Sequence, residues 1–117
     1  MKGYWRLCAA ARVSVALEPV ELGYPEVHGH DLEVEACYCG AKGRADVEAI
    51  EKVLRDALGV ERIHLDKFTG KRGSLIEDLI VEVYRKLPST LGGLEICSLE
   101  ARWLWGARKI RLDIQQA

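Results

Sequence analysis

The chain has 117 residues, a formal net charge of −1, four cysteines and three histidines. This length can bury the core of one ordinary domain, and the balanced, interspersed charge gives no indication of a nucleic acid or membrane-surface partner. No window holds the roughly eighteen consecutive apolar residues that a membrane-spanning helix needs, and Arg6 and Arg12 interrupt any signal-peptide pattern. We therefore expect a single domain over residues 1–117, soluble and cytoplasmic.

Alternating hydrophobicity predicts two strands in the first third of the chain. Odd positions over 4–17 are apolar, which is typical of a half-buried strand. Residues 18–27 contain two prolines and a glycine and predict a loop. The alternation resumes over 30–39 and ends at Gly40.

The period of the pattern then changes to that of a helix. Apolar residues recur at helical spacing over 47–58 and stop at Gly59, and a second such stripe runs from Ser74 to Pro88. The segment 60–73 between the two stripes has no clear period, so we expect irregular structure there.

Strand patterns return at the end of the chain, over 94–102 and 109–114. The element order ββααββ predicts an α+β fold, a four-stranded antiparallel sheet with two helices on one of its faces. Such a small sheet leaves its edge strands open, and we expect oligomerisation through them.

The four cysteines, Cys8, Cys37, Cys39 and Cys97, show no CxxC spacing. Cys37 and Cys39 share a strand face but are too far apart for an easy mutual bridge. We interpret all four as small, buried, reduced residues, with a cysteine zinc site as the alternative.

The sequence His28-Gly29-His30 is the most informative stretch of the chain. Two histidines two positions apart on a strand share a face, while Gly29 leaves the opposite face open to a ligand, another backbone or a sharp turn. Two imidazoles supply half of a zinc site, which usually has three protein ligands. The alternative is a hydrogen-bonded histidine pair without a metal.

Several motifs in chain order resemble the 6-pyruvoyltetrahydropterin synthase and 6-carboxytetrahydropterin synthase family, whose subunits have the tunnelling fold, or T-fold. His28-Gly29-His30 with Leu32 and Val34 is similar to the family motif HGHxYxVxV. Residues 13–17 resemble the family's first strand, and Asp46 resembles the aspartate before its first helix. Leu65-Asp66 is similar to the start of its LDH motif, Glu77 to the glutamate of its PTxEN motif, and Glu100 to the glutamate that binds the pterin ring.

The resemblance implies a zinc-dependent lyase that acts on a dihydroneopterin triphosphate-type pterin. It also implies a homohexamer of two stacked trimers, with the site at a subunit interface. Glu100 would bind the pterin ring through two parallel hydrogen bonds. Strand alternation from Leu94 and Ile96 puts Glu100 on the apolar face of its strand.

The chain departs from the family pattern at three site positions. Leu17 stands where the first zinc histidine is expected, the stretch around Glu26 lacks the usual cysteine, and Lys67 replaces the histidine after Leu-Asp. The resemblance therefore implies a divergent member with a degraded site. Its zinc would be held by His28 and His30 with Glu18 or Glu26 as third ligand. Its candidate catalytic residues are Asp66, Lys67 and Glu26.

Each of the remaining candidates has a structural alternative. Asp66 and Lys67 can form a surface salt bridge, and we favour Glu77 as part of a capping box with Ser74. Trp103 and Trp105 are interpreted as interface or core residues. At the level of function, the alternatives to an enzyme are a non-catalytic pterin- or purine-binding protein and a structural subunit that assembles with an active paralogue.

Overall fold

The structure, a computed structural model, describes residues 3–17, 28–42, 46–59 and 62–115. Its elements in chain order are β1 Trp5–Leu17, β2 His28–Gly40, α1 Val47–Leu58, β3 Arg62–His64, α2 Leu65–Thr69, α3 Ile76–Lys86, β4 Thr90–Leu91, β5 Leu94–Trp103 and β6 Lys109–Asp113.

The strands of the described residues form one six-stranded sheet in the order β3-β1-β2-β5-β4, with β6 also paired to β5. β1 and β2 form a long antiparallel pair in which Trp5 lies opposite Gly40 and Leu17 lies opposite His28. The predicted α+β class and the helix-covered antiparallel sheet are confirmed.

The predicted count of four strands and two helices is wrong for the described residues, which form six strands and three helices. Part of the difference lies in 60–73, which was predicted to be irregular but contains β3 and α2. β3 pairs in parallel with β1, with Ile63 opposite Val15. Local periodicity misses β3 because its three residues are held by hydrogen bonds to a strand almost fifty positions away in sequence.

The main core lies between one face of the sheet and the helices. Apolar side chains of β1, β2 and β5 alternate onto this face and pack against apolar stripes of α1 and α3. The fully buried members include Val15, Leu32, Val34, Ile50, Leu54, Leu79, Val83 and Leu99. We call this the helix face and the opposite one the polar face.

The helix ends show which side chains cap them. Asp46 accepts a hydrogen bond from the backbone N–H of Ala49 at 2.7 Å and so begins α1. α3 begins at Ile76 rather than at Ser74, and Asp78, not Glu77, accepts from the backbone N–H of Leu75 at 2.8 Å. The predicted capping role of Glu77 is therefore wrong. No helix within the described ranges has the length and apolar content needed to cross a membrane.

Tyr38 anchors the far end of the core. Its side chain is fully buried, and its hydroxyl donates to the carbonyl of Pro88 at 2.7 Å. Burial disfavours the phenolate and raises the pKa of Tyr38 to about 12.

This pKa predicts a loss of stability at high pH. The unfolded chain releases the Tyr38 proton near pH 10, whereas the folded chain holds it to about pH 12. The unfolded state therefore binds fewer protons in that window, and the free energy of unfolding falls by about 2–3 kcal/mol from pH 10 to 12. Urea denaturation of wild type and Tyr38→Phe across this range measures it. The variant should show the smaller decline, and equal declines would contradict the assignment.

Candidate functional site

A cavity of about 320 Å³ lies at one end of the sheet, beside His30. The end of β1, the start of β2, β3 and the segment that links β5 to β6 surround it. The residues that line it are Ser14, Val15, Ala16, Gly29, His30, Asp31, Arg62, Ile63, Trp103, Trp105 and Arg108. The cavity is wide enough for a small organic molecule.

The aromatic wall of this cavity is centred on Trp103. The His30 ring meets the Trp103 ring edge-on with 5.8 Å between centroids, and the Arg108 guanidinium lies 5.3 Å from the Trp103 centroid. Trp103 packs against the core, as predicted, whereas Trp105 is 77% exposed at the cavity rim. Aromatic and guanidinium groups together suit a planar, polar or anionic ligand.

Gly29 makes a close backbone contact, one of the three uses that the sequence left open. A Cβ at this position would lie 3.3 Å from the carbonyl oxygen of Val15 on β1. The glycine therefore lets β1 and β2 stay closely paired at the cavity wall.

The predicted zinc ligands are only partly described. The side chain of His28 and all of Glu18 and Glu26 lie outside the described residues. Leu17 is 5% exposed and belongs to the main core, so that position offers a metal no ligand. No group of three or more potential ligands in 3–17, 28–42, 46–59 and 62–115 includes His30. The described residues do not by themselves form the predicted zinc site.

Glu100 is buried, but on the polar face rather than the helix face. A β-bulge next to Cys97 shifts the register, so that Ile96 lies opposite Tyr38 while Ser98 lies opposite Cys37. The extra residue reverses the alternation after Ile96. The predicted apolar-face position of Glu100 is therefore wrong.

The surroundings of Glu100 are charged. The residue is 7% exposed, and its carboxylate lies 3.7 Å from an Arg102 guanidinium nitrogen and 3.6 Å from the Lys109 ammonium. Glu100 Oε1 is buried and accepts no hydrogen bond from any described residue. Glu100 is absent from the lining of the His30 cavity, so one chain does not bring these two predicted site residues together.

Asp66 anchors the loop before α3. Its two carboxylate oxygens accept hydrogen bonds from the backbone N–H groups of Gly73 at 3.0 Å and Ser74 at 2.9 Å. Lys67 is exposed. The catalytic role of this pair stays a prediction, as does that of Glu26, but the structure gives Asp66 a structural task.

The four cysteines, predicted to be reduced, instead form two disulfides, Cys8–Cys37 and Cys39–Cys97. Cys8 and Cys37 are direct cross-strand partners with Cα atoms 4.1 Å apart. The two-residue spacing of Cys37 and Cys39 indicates a shared strand face. Which cysteines pair depends on the register of three strands, and the sequence does not give that register. Glu35 lies close to Cys8 and Cys37, yet disulfide sulfurs are poor metal ligands compared with thiolates.

The fold defines the class of protein to which this chain is similar: a helix-covered antiparallel sheet of the T-fold type. The structure is similar to that of 6-pyruvoyl tetrahydropterin synthase from Caenorhabditis elegans, with a TM-score of 0.73 over 97% of each chain and 14% sequence identity. No family model matches the sequence, and no curated protein sequence matches it. The similarity therefore establishes the fold, and the function rests on the site.

Proposed function

We propose that this protein binds a pterin-class ligand through the carboxylate of Glu100. The observation that carries the proposal is a buried carboxylate oxygen, Glu100 Oε1, that accepts no hydrogen bond from the described residues and has only a longer ion pair, 3.6 Å, with the Lys109 ammonium. Buried polar atoms are normally hydrogen-bonded, because leaving one unpaired costs about 1–3 kcal/mol. The 2-amino-4-oxo edge of a pterin presents two parallel N–H donors, which a carboxylate can accept as a fork.

The charges around Glu100 support the same ligand class. Arg102 and Lys109 form ion pairs with the carboxylate, while Glu35 on β2 and Arg111 on β6 lie opposite Glu100 in register. The cations offset the two carboxylates, so a neutral ring edge can approach without a large electrostatic cost.

A complete site in this proposal needs a second copy of the chain. Glu100 and the His30 cavity are separate within one chain. A homo-oligomer, such as the hexamer that the family resemblance implies, would bring a second copy of each to a subunit interface. β6 supports this because its outer edge has no strand partner among the described residues.

Binding without turnover is the activity that we favour. Buried Leu17 cannot ligate zinc, and the carboxylate of Asp66 is occupied by backbone N–H groups. A lyase remains the second candidate because His30 borders a cavity. It would use His28 and His30 with Glu18 or Glu26 for zinc.

We also propose a cytoplasmic location. The two disulfides then require a cytoplasm in which disulfides persist, such as that of hyperthermophiles.

A fluorescence titration with neopterin tests the binding proposal. We expect saturable quenching with the wild type and at least about tenfold weaker binding with Glu100→Gln, which loses the charged acceptor. Glu95→Gln is the matched control because Glu95 is an exposed glutamate on the same strand. Equal binding by wild type and Glu100→Gln would overturn the Glu100 assignment. Absence of binding by the wild type would favour a structural subunit.

A further inference from the structure

The two disulfides lie side by side on the polar face of the sheet, next to the surroundings of Glu100, because Glu35 lies opposite Glu100 in register and contacts the sulfur of Cys37. Three of the four half-cystines are buried in one small cluster, and Cys8 packs against it. The bridges link the three adjacent strands β1, β2 and β5. The charged side chain in contact with one bridge is positive, and the charged side chain in contact with the other bridge is negative.

A guanidinium contacts one of the two bridges. Arg6 Nη1 lies 3.7 Å from the sulfurs of both Cys39 and Cys97. Arg6 Nη2 donates to the hydroxyl of Ser98 at 2.5 Å, and this bond fixes the guanidinium over the bridge. A positive charge at this distance stabilises a thiolate on either cysteine.

A carboxylate contacts the other bridge. Glu35 Oε1 lies 3.6 Å from the sulfur of Cys37, which is bonded to Cys8. Its negative charge disfavours a thiolate at this position. Reduction should therefore be harder for Cys8–Cys37 than for Cys39–Cys97.

We propose that Cys39–Cys97 is a thiol–disulfide exchange site that accepts electrons from a dithiol, while Cys8–Cys37 is a structural bridge. Arg6 is the positioning residue of this site. Cys39 and Cys97 are 5% and 8% exposed, so the reductant must be a small dithiol or a narrow, protruding one.

The exchange step balances with the dithiol as the only co-reactant. One thiolate of the dithiol attacks a sulfur of the bridge and forms a mixed disulfide, and the S–S bond breaks to release the other cysteine as a thiolate beside Arg6. The second thiol of the reductant then attacks the mixed disulfide. At the end, Cys39 and Cys97 are two thiols that carry the two protons of the dithiol, and the dithiol has become a disulfide.

The remaining charged residues near this bridge do not reverse the argument. Glu95 lies opposite Cys39 in register, and Asp113 lies opposite Ser98, but both are exposed. Arg6 is exposed as well, but its guanidinium lies 3.7 Å from both sulfurs, and this direct contact gives it the larger effect on a thiolate.

Graded reduction with dithiothreitol buffers tests the proposal on the intact protein. After each buffer reaches equilibrium, free thiols are alkylated and tryptic peptides are analysed by mass spectrometry. Cys8 falls in peptide 7–12 and Cys97 in peptide 87–102, so each bridge has its own reporter. We expect Cys97 to become half alkylated at a reduced-to-oxidised dithiothreitol ratio several-fold lower than Cys8, because Arg6 stabilises the thiolates of the reduced bridge.

Three variants isolate the role of the guanidinium. Arg6→Gln should move the Cys97 midpoint towards that of Cys8, Arg6→Lys should restore part of the difference, and Arg12→Gln, on the same strand and face, should leave the Cys97 midpoint unchanged. Simultaneous reduction of the two bridges, earlier reduction of Cys8, or an Arg6→Gln protein that keeps both wild-type midpoints would overturn the proposal. If Arg6→Gln does not fold, the wild-type order and Arg6→Lys decide.

Discussion

Removing either disulfide is expected to lower the free energy of unfolding by about 3–4 kcal/mol. Cys8–Cys37 spans 29 positions and Cys39–Cys97 spans 58. Each bridge closes a loop of this size in the unfolded chain and so lowers the conformational entropy of the unfolded state. The folded state is already ordered, so the bridge raises the free energy of unfolding. The pairwise variants Cys8→Ala with Cys37→Ala, and Cys39→Ala with Cys97→Ala, should each show the loss in guanidinium denaturation.

The reduced wild type is the control for the disulfide prediction, because it removes the bridges without changing any side-chain volume. Denaturation in excess phosphine reductant should show at least the loss of one pairwise variant. Thiol titration of the unfolded, unreduced protein should find no free thiol. A loss below about 1 kcal/mol for both variants, or four titratable thiols, would contradict the bridges.

Replacing Asp66 with alanine is expected to cost about 2–3 kcal/mol of stability. The substitution leaves the backbone N–H groups of Gly73 and Ser74, which turn the chain into α3, without their acceptors. Thermal and urea denaturation measure the loss directly. Asp66→Asn keeps one acceptor oxygen and should lose less.

Lys67→Ala is the matched control for the Asp66 prediction, since Lys67 is the exposed neighbour and the second member of the predicted catalytic pair. It should change the free energy of unfolding by no more than about 0.5 kcal/mol. An Asp66→Ala protein as stable as the wild type would show that the loop does not depend on this carboxylate.

Local patterns in the sequence were sufficient for the elements that bury one whole face. The alternation in 4–17 and 30–39 and the helical stripe in 47–58 each correspond to an observed element. A strand that buries every second side chain, or a helix that buries one face of its 3.6-residue turn, leaves a periodic pattern of apolar residues in the sequence. The pattern failed for β3, whose three residues are too few to show a period. It also failed at the start of α3, where Asp78 accepts from the backbone N–H of Leu75, and the N–H of Ser74 donates to Asp66 instead of Glu77.

The site was harder to predict because its geometry depends on pairings between strands. One inserted residue at Cys97 places Glu100 on the polar face, although a strict two-residue period places it on the helix face. The same register brings Cys8 opposite Cys37, which no local spacing reveals. The likeness to the T-fold was nonetheless detectable from short motifs such as His28-Gly29-His30, and the structure confirms that fold.

A crystal structure of the protein soaked with neopterin and zinc would show where a pterin ring binds. We expect a pteridine ring whose 2-amino-4-oxo edge lies within hydrogen-bond distance of both carboxylate oxygens of Glu100, with a second copy of the chain completing the site. A ring bound elsewhere, or a Glu100 carboxylate that still contacts only Arg102 and Lys109 at saturating ligand, would contradict it.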